Sequence, residues 1–258
     1  MDKKTETAPS SGSTGPSGAD RGPGNPHSFE WLTDEMSASL DTVHRVDKEG
    51  FLYEMDCSYD YYGNPYITSL MEKFGVYDAG CSAFVTFNET GDSVLTARNY
   101  DYRHTDAAGG YTGLNVAIHC APDGRYRSVA IADAYWLDSD NATFSAGVLD
   151  DGRTDTSMLV MLPYVCVDGI NEKGLTVSIL KLDVKEGESS VDQKDAGKIS
   201  IGHSVLTRYI LDGCATVDEA VAMAGDYNIK GVFGMDFHIF VTDSTGASAV
   251  LEWRYNKL

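Results

Sequence analysis

Basic residues are scarce in this sequence. Only 20 lysine and arginine residues stand against 39 aspartate and glutamate residues, which gives a formal net charge of −19 over 258 residues. Nucleic acids and anionic membrane surfaces attract proteins through an excess of lysine and arginine. The composition therefore predicts neither kind of partner.

Long apolar runs are missing as well. No stretch of about 18 apolar residues occurs, so no transmembrane helix is expected. The first residues do not combine a basic start with an apolar run, so no signal peptide is expected within these 258 residues. A signal segment could have been removed.

Paired cysteine motifs are also absent. The five cysteines are an odd number, and none of them are spaced as CxxC. This pattern predicts no thiolate metal site and leaves at least one thiol free. No metal ligands and no cofactor are expected. The ordinary role of such a cysteine is that of a small buried apolar side chain.

The N-terminal third divides into two parts. Residues 1–27 are rich in Ser, Gly, Pro and Thr, and we expect them to form a disordered tail. Residues 28–80 are predicted to form a leader or propeptide-like segment with a helix over about 30–46, a strand at 51–55 and a second helix at 67–74. Such a tail suggests an extracellular or cell-surface protein of a bacterium, and a cytoplasmic location stays open.

Strands dominate from Cys81 to the end, and short turns join them into hairpins. The predicted pairs are 82–87 with 93–97, 113–120 with 125–131, 164–167 with 175–182, and 237–242 with 247–253. Two helices interrupt them, at 201–211 and from Val217 to about Ala224. A capping box of Thr216 and Glu219 begins the second helix. Antiparallel sheets with grouped helices predict an α+β layered domain.

The first hairpin brings chemically useful side chains together. Cys81 opens its first strand, and Arg98, Asn99 and Asp101 close the second. Because a hairpin joins its outer ends, a thiol, a guanidinium and a carboxylate should meet at one sheet edge. Local spacing alone leaves two interpretations: a buried strand cysteine beside an Arg98–Asp101 salt bridge, or a nucleophile.

The residue before Cys81 supports the second interpretation. If the Gly80–Cys81 peptide bond is cut, Cys81 becomes N-terminal, and its own α-amine can act as the base for the thiol. Arg98 would then favour the thiolate, and Asp101 would orient the amine. Gly80 would allow the scissile bond an unusual backbone geometry.

Three blocks extend this pattern along the chain. Cys81 with Arg98-Asn-Tyr-Asp101, then Asp168-Gly-Ile-Asn-Glu-Lys-Gly-Leu175, then the stretch from Asp236 to Glu252 occur in this order. Together they resemble the choloylglycine hydrolase and linear amide hydrolase group of N-terminal nucleophile (Ntn) hydrolases. The resemblance covers residues 81 to about 253, so 81–258 is expected to be the N-terminal part of an amidohydrolase domain.

The resemblance implies an αββα sandwich that hydrolyses a linear, non-peptide amide C–N bond of a small acyl-amide. Cys81 would be the nucleophile and carry a thioester intermediate, Arg98 and Asp101 would support it, and cleavage at Gly80–Cys81 would precede activity. Asn99, Asn171 and Lys181 are the expected substrate or oxyanion contacts. Lys181 stands where the family commonly has Asn or Tyr. Later family motifs are missing before Leu258, so the chain is expected to be a fragment, incomplete at its C-terminal end.

Other functions and residues remain open at this stage. An acyltransferase of the isopenicillin N type would use the same thioester, whereas a non-catalytic cell-surface binding module would need Cys81 only for packing. A homo-oligomer is compatible with the sequence. Four histidines are expected in loop or structural roles, with His104 as an alternative base: His104, His119, His203 and His238.

Overall fold

The computed structural model describes residues 32–62, 79–102, 113–137, 147–184, 189–231 and 235–258. Eight strands form one mixed sheet, the main sheet. In spatial order they are β1 (His44–Arg45), β2 (Leu52–Cys57), β5 (Asn115–Cys120), β6 (Ser128–Asp133), β7 (Cys166–Asn171), β8 (Thr176–Leu182), β11 (Asp236–Thr242) and β12 (Ser248–Leu251).

The remaining described elements lie outside this sheet. Two strands form the hairpin, β3 (Ala79–Phe87) and β4 (Val94–Tyr102), and two form a short parallel pair, β9 (Ser200–Ile201) and β10 (Asn228–Ile229). The α-helices are α1 (Asp34–Leu40), α2 (His203–Gly213) and α3 (Val217–Asp226). Three 3₁₀ segments span Ala134–Leu137, Val148–Asp151 and Ser157–Val165.

Helices and hairpin cover opposite faces of the main sheet, because successive strand residues point to opposite sides. Gly169 of β7 faces α2 so closely that a Cβ there would lie 2.8 Å from Leu211 Cδ1. Its neighbour Asp168 faces the hairpin and pairs with Arg98. The layers are therefore helices, main sheet and hairpin, and the α+β class predicted from the sequence is confirmed. This order supplies three successive layers of the expected αββα sandwich.

The core fills the helical side of the main sheet. Its fully buried side chains come from strands of the main sheet, from α2 and from the 3₁₀ segment Ser157–Val165. They include Met55, Ile118, Met161, Leu206, Ile210 and Ile239. The capping box predicted before α3 is present, since Thr216 Oγ1 accepts from Glu219 N and the Glu219 carboxylate accepts from Thr216 N. It fixes the start of the helix that follows α2.

Two local predictions were wrong. The helix expected over about 30–46 ends at Leu40, because His44 and Arg45 instead pair with β2 as an edge strand. The residues Asp168–Asn171, expected in a turn, belong to β7, and the turn is confined to the three residues that follow. Gly174 closes that turn at φ 79°, a backbone region that favours glycine.

The segment before the hairpin is part of the main sheet. β2 lies between β1 and β5, and it pairs with β5 in parallel from Leu52↔Asn115 to Cys57↔Cys120. Met36 and Leu40 of α1 are buried in the same core. The expected tail at 1–27, the helix expected at 67–74 and His104 lie outside the described residues.

Candidate active site

The hairpin sets Cys81 opposite Tyr100. Its register runs from Ala79↔Tyr102 to Phe87↔Val94 and includes Cys81↔Tyr100 and Ala83↔Arg98. Residues directly opposite in an antiparallel pair project to the same face. The half-buried Cys81 therefore shares the inner face of the hairpin, towards the main sheet, with Arg98 and Tyr100.

Arg98 connects the thiol to the main sheet. Its Nη2 lies 3.6 Å from Cys81 Sγ and donates to the Ile179 carbonyl oxygen at 2.7 Å. Its Nη1 lies 3.3 Å from Asp168 Oδ2, and its guanidinium stacks 4.3 Å from the centre of the Tyr100 ring. Only 5% of the Arg98 side chain is exposed, so its charge acts at short range and with little screening by water.

Asp101 lies on the other face of the hairpin. It is exposed, like Asn99, and it is paired in register with Gly80. A Cβ placed on Gly80 would lie 3.6 Å from Asp101 Oδ2, so this carboxylate is beside the Gly80–Cys81 peptide bond. The structure thus brings Cys81 to Arg98 on one side and Gly80 to Asp101 on the other. Arg98 takes Asp168, and not Asp101, as its ion-pair partner.

Asp168 is a site residue that sequence reasoning missed. Burial raises the pKa of its carboxyl, and the nearby Arg98 guanidinium opposes that rise. A signal was present, since Asp168 opens the second motif block, but the block was interpreted as a turn. Its position on β7 places the carboxylate under the guanidinium that contacts the thiol.

Tyr100 and its partners form the wall beside the thiol. Tyr100 Oη donates to Asp133 Oδ2 at 2.5 Å and accepts from Trp136 Nε1 at 3.2 Å. Tyr102 packs on Trp136 with ring centres 4.9 Å apart. Burial raises the pKa of the Tyr100 hydroxyl well above its usual value, and the Asp133 carboxylate adds to the rise, so Tyr100 remains a neutral donor. Aromatic residues at alternating strand positions were the available signal.

Asn171 and Lys181 have partners elsewhere. Asn171 Nδ2 donates to the carbonyl oxygens of Leu211 and Cys214, and its Oδ1 accepts from Lys173 N and Leu175 N. The hydrogen-bonding capacity of that amide is therefore used within the fold. Lys181 Nζ pairs with Asp183 Oδ1 at 2.9 Å near the end of β8.

Three of the four histidines considered in the sequence analysis lie in the described residues, in separate surroundings. His203 is buried between Phe237 and Trp253, and burial lowers its pKa to about 3. His238 Nδ1 lies 3.4 Å from Glu252 Oε2, and His119 is exposed on β5. In the described ranges no three His, Cys, Asp or Glu side chains are grouped to hold a metal ion, and no helix there is long and apolar enough to cross a membrane.

Comparison with known proteins finds relatives that match part of this chain. A family model described as acyl-coenzyme A:6-aminopenicillanic acid acyl-transferase matches residues 156–258. A penicillin V acylase from Pectobacterium atrosepticum is 35% identical over 94 residues, which cover 33% of this chain and 24% of that protein. The chain resembles the choloylglycine hydrolase and linear amide hydrolase group of Ntn hydrolases. The resemblance inferred from its motifs is thereby confirmed.

Solved structures overlap with part of the chain. A penicillin V acylase from Agrobacterium tumefaciens is 22% identical with a TM-score of 0.39, covering 68% of this chain and 47% of its own. A conjugated bile acid hydrolase mutant from Clostridium perfringens is 18% identical with a TM-score of 0.41, covering 70% of this chain and 49% of its own. The chain thus spans about a quarter of the curated relative and about half of these structures.

Removing the charge of Asp168 should make the Cys81 thiol react faster with an alkylating agent. Above its raised pKa, the Asp168 carboxyl is ionised and offsets part of the positive charge of Arg98. In Asp168→Asn the Arg98 charge is no longer offset, so it stabilises the Cys81 thiolate more strongly. We expect iodoacetamide to alkylate Cys81 about threefold to tenfold faster in Asp168→Asn at neutral pH. Below the pKa of Asp168 the carboxyl is protonated in the parent protein. The parent and Asp168→Asn should therefore show the same rate of Cys81 alkylation there.

The matched control is Asp183→Asn, which removes a carboxylate that is 88% exposed. Alkylation of Cys81 followed by mass spectrometry across the pH range measures both variants. Slower alkylation of Cys81 in Asp168→Asn, or an equal acceleration in Asp183→Asn, would contradict this account of Arg98.

Proposed function

We propose that the protein is a cysteine Ntn hydrolase that cleaves a linear amide C–N bond of a small acyl-amide. The observation that carries this proposal is the Arg98 guanidinium 3.6 Å from the Cys81 thiol, with Asp101 beside the Gly80–Cys81 bond. A cation beside a half-buried thiol favours the thiolate, the form of cysteine that attacks carbonyl carbon. The other four cysteines are buried away from solvent, which singles out Cys81.

Cleavage at Gly80–Cys81 would complete the site. The freed α-amine has a reference pKa of about 7.7–8.0, so near neutral pH a useful fraction can accept the thiol proton. Asp101, which is paired with Gly80 across the hairpin, would hold that amine in place. Arg98 would stabilise the thiolate. β2 would stay hydrogen-bonded to β5 after the cut, because that pairing does not involve the scissile bond.

The reaction would then follow two steps. The thiolate of Cys81 attacks the amide carbonyl carbon, and the C–N bond breaks as the α-ammonium returns its proton to the leaving amine. The acyl group stays on sulfur as a thioester. Water, deprotonated by the same α-amine, attacks the thioester, and the carboxylic acid leaves while the thiolate re-forms. Asn99, next to Asp101 on β4, is proposed as a substrate or oxyanion contact.

Acyl transfer is the second candidate, favoured by the description of the matching family model. The thioester would be the same, and an amine would replace water as the acceptor. Adding a primary amine to the reaction separates the two functions. An acyltransferase yields a new amide as the major product, whereas a hydrolase yields the free acid.

Mass spectrometry of the incubated protein tests the proposal. We expect the active species to contain a polypeptide that begins at Cys81, and a covalent acyl adduct on Cys81 after rapid acid quenching with substrate. Iodoacetamide should label Cys81 before the other four cysteines. An intact Gly80–Cys81 bond in a protein that hydrolyses no amide, together with an unreactive Cys81, would instead indicate a binding module.

A further inference from the structure

Two cysteines of the main sheet lie side by side in the core. Cys57 is the last residue of β2 and Cys120 is the last residue of β5, and the parallel pairing of these strands sets them in register. Their side chains are 1% and 2% exposed, and the two thiols are hydrogen-bonded to each other. Neither thiol takes part in the proposed reaction at Cys81. The register thus makes neighbours of two thiols that are far apart in the sequence.

The pairing of these two cysteines satisfies the geometry of a disulfide bond. Neighbouring strands lie about 4.7–4.9 Å apart, within the Cα separation of about 4.4–6.8 Å that disulfides require. Both side chains belong to the core on the helical side of the sheet. Each cysteine ends its strand, and no ladder pair follows Cys57↔Cys120. A small shift of the two strand ends can therefore bring the sulfur atoms to bonding distance.

The other cysteines do not fit as partners. Cys166 is on β7, and β6 separates it from β5, so these strands lie about 9–10 Å apart. The Cys166 thiol donates to the Pro163 carbonyl oxygen at 3.2 Å. Cys214 follows the end of α2, and Cys81 lies on the hairpin, on the other side of the main sheet. The five described cysteines thus offer one pair with disulfide geometry, and Cys81 stays free for catalysis.

Arg208 favours the thiolate of Cys120. Its guanidinium is fully buried, and its Nη1 lies 3.4 Å from Cys120 Sγ. The hydrogen bond from the Cys57 thiol lowers the pKa of Cys120, and the Arg208 charge lowers it further, while burial opposes both. The thiolate is the form of cysteine that attacks a disulfide. Arg208 thus prepares one partner of the pair for thiol–disulfide exchange.

We propose that Cys57 and Cys120 form a disulfide bond that fastens β2 to β5. The oxidant is a small-molecule disulfide such as oxidised glutathione. The Cys120 thiolate attacks one sulfur atom of the oxidant, forms a mixed disulfide and releases one thiolate. The Cys57 sulfur, after losing its proton, attacks the Cys120 sulfur and releases the second thiolate. Two protein thiols are oxidised, and one disulfide is reduced to two thiols.

The position of this bond gives it a consequence for cleavage. Cys57 precedes the Gly80–Cys81 bond and Cys120 follows it, so the disulfide would keep the two chains together after a cut. This consequence rests on the proposed function, whereas the disulfide itself does not. Without it, only non-covalent contacts would hold β2 in the main sheet, and their occupancy would depend on protein concentration.

Peptide mass spectrometry of the full chain tests the disulfide. The chain is incubated in glutathione buffers from reducing to oxidising, at a urea concentration just below the unfolding midpoint, so that β2 opens often enough for exchange. Acid quenching and alkylation of the free thiols follow. In oxidising buffer, the cross-linked peptides of Cys57 and Cys120 should exceed those of every other cysteine pair at least tenfold.

The matched control is Cys166→Ala, which removes another buried cysteine beside Arg208 and should leave the cross-link in place. Alkylated Cys57 and Cys120 in the most oxidising buffer would overturn the proposal. A parent protein in which Cys120 is cross-linked mainly to Cys166 would overturn it as well.

Denaturing electrophoresis tests whether the disulfide holds the cleaved chains together. After a cut at Gly80–Cys81, the oxidised protein should run as one species without reductant and as two chains with it. Cys57→Ala should run as two chains in both conditions. Two chains from the oxidised parent without reductant would overturn this role. An intact Gly80–Cys81 bond in a protein that carries the Cys57–Cys120 cross-link would overturn the cleavage alone.

Discussion

Replacing Cys81 with alanine is expected to lower kcat/KM for amide hydrolysis by about three orders of magnitude or more. The proposed mechanism requires a covalent thioester on this sulfur, and an alanine cannot form it. The loss should appear in kcat, since the substitution leaves Arg98 and the other side chains of the proposed site in place. The measurement is steady-state release of the amine product, with mass spectrometry confirming which N-terminus each preparation carries.

Cys214→Ala is the matched control. Cys214 is a buried cysteine at the end of α2 whose Sγ lies 3.8 Å from Met223 Sδ, so its removal should affect packing and leave kcat within about threefold. Cys81→Ser keeps a hydroxyl nucleophile and should retain more activity than Cys81→Ala. Similar rates in Cys81→Ala and the parent protein would rule out the thioester. Equal losses in both alanine variants would indicate that unfolding, and not chemistry, lowered the rate.

The local pattern of the sequence predicted the hairpin but not the environment of its ends. Alternating strand residues around a Gly91 turn were enough to pair Cys81 with the far end of β4. The same alternation places Arg98 and Asp101 on opposite faces, so the salt bridge between them that one interpretation required does not form. Applying the two-residue period to these three positions would have shown this from sequence.

Contacts between layers could not be predicted from local patterns. Arg98 lies 70 positions before Asp168 and 81 before Ile179, and no spacing rule links strands of different sheets. The parallel pairing of β2 with β5 is a similar case, since it joins the expected leader to the main sheet. Motif order did predict the resemblance to known amide hydrolases, because it depends on residues that need not touch.

The buried ion pair of α2 is where a single substitution should cost the most stability. Arg208 and Asp212, one helical turn apart, have fully buried side chains and form an ion pair. Arg208 also contacts Cys120 Sγ at 3.4 Å, and Asp212 Oδ2 accepts from the hydroxyls of Tyr61 and Tyr62, each at 2.8 Å. The pair therefore ties α2 both to the main sheet and to the segment that follows β2.

Asp212→Ala should lower the free energy of unfolding by about 3–5 kcal/mol, measured by urea denaturation. The substitution leaves the Arg208 cation buried without its counter-charge and removes the acceptor of two tyrosine hydroxyls. Lys198→Ala, at an ion pair with Asp195 in which the two side chains are 36% and 63% exposed, should cost less than about 1 kcal/mol. Adding Arg208→Met to Asp212→Ala removes the orphaned charge, so the double variant should be more stable than Asp212→Ala alone. Additive losses in the double variant would show that the residues contribute through separate contacts and not as a pair.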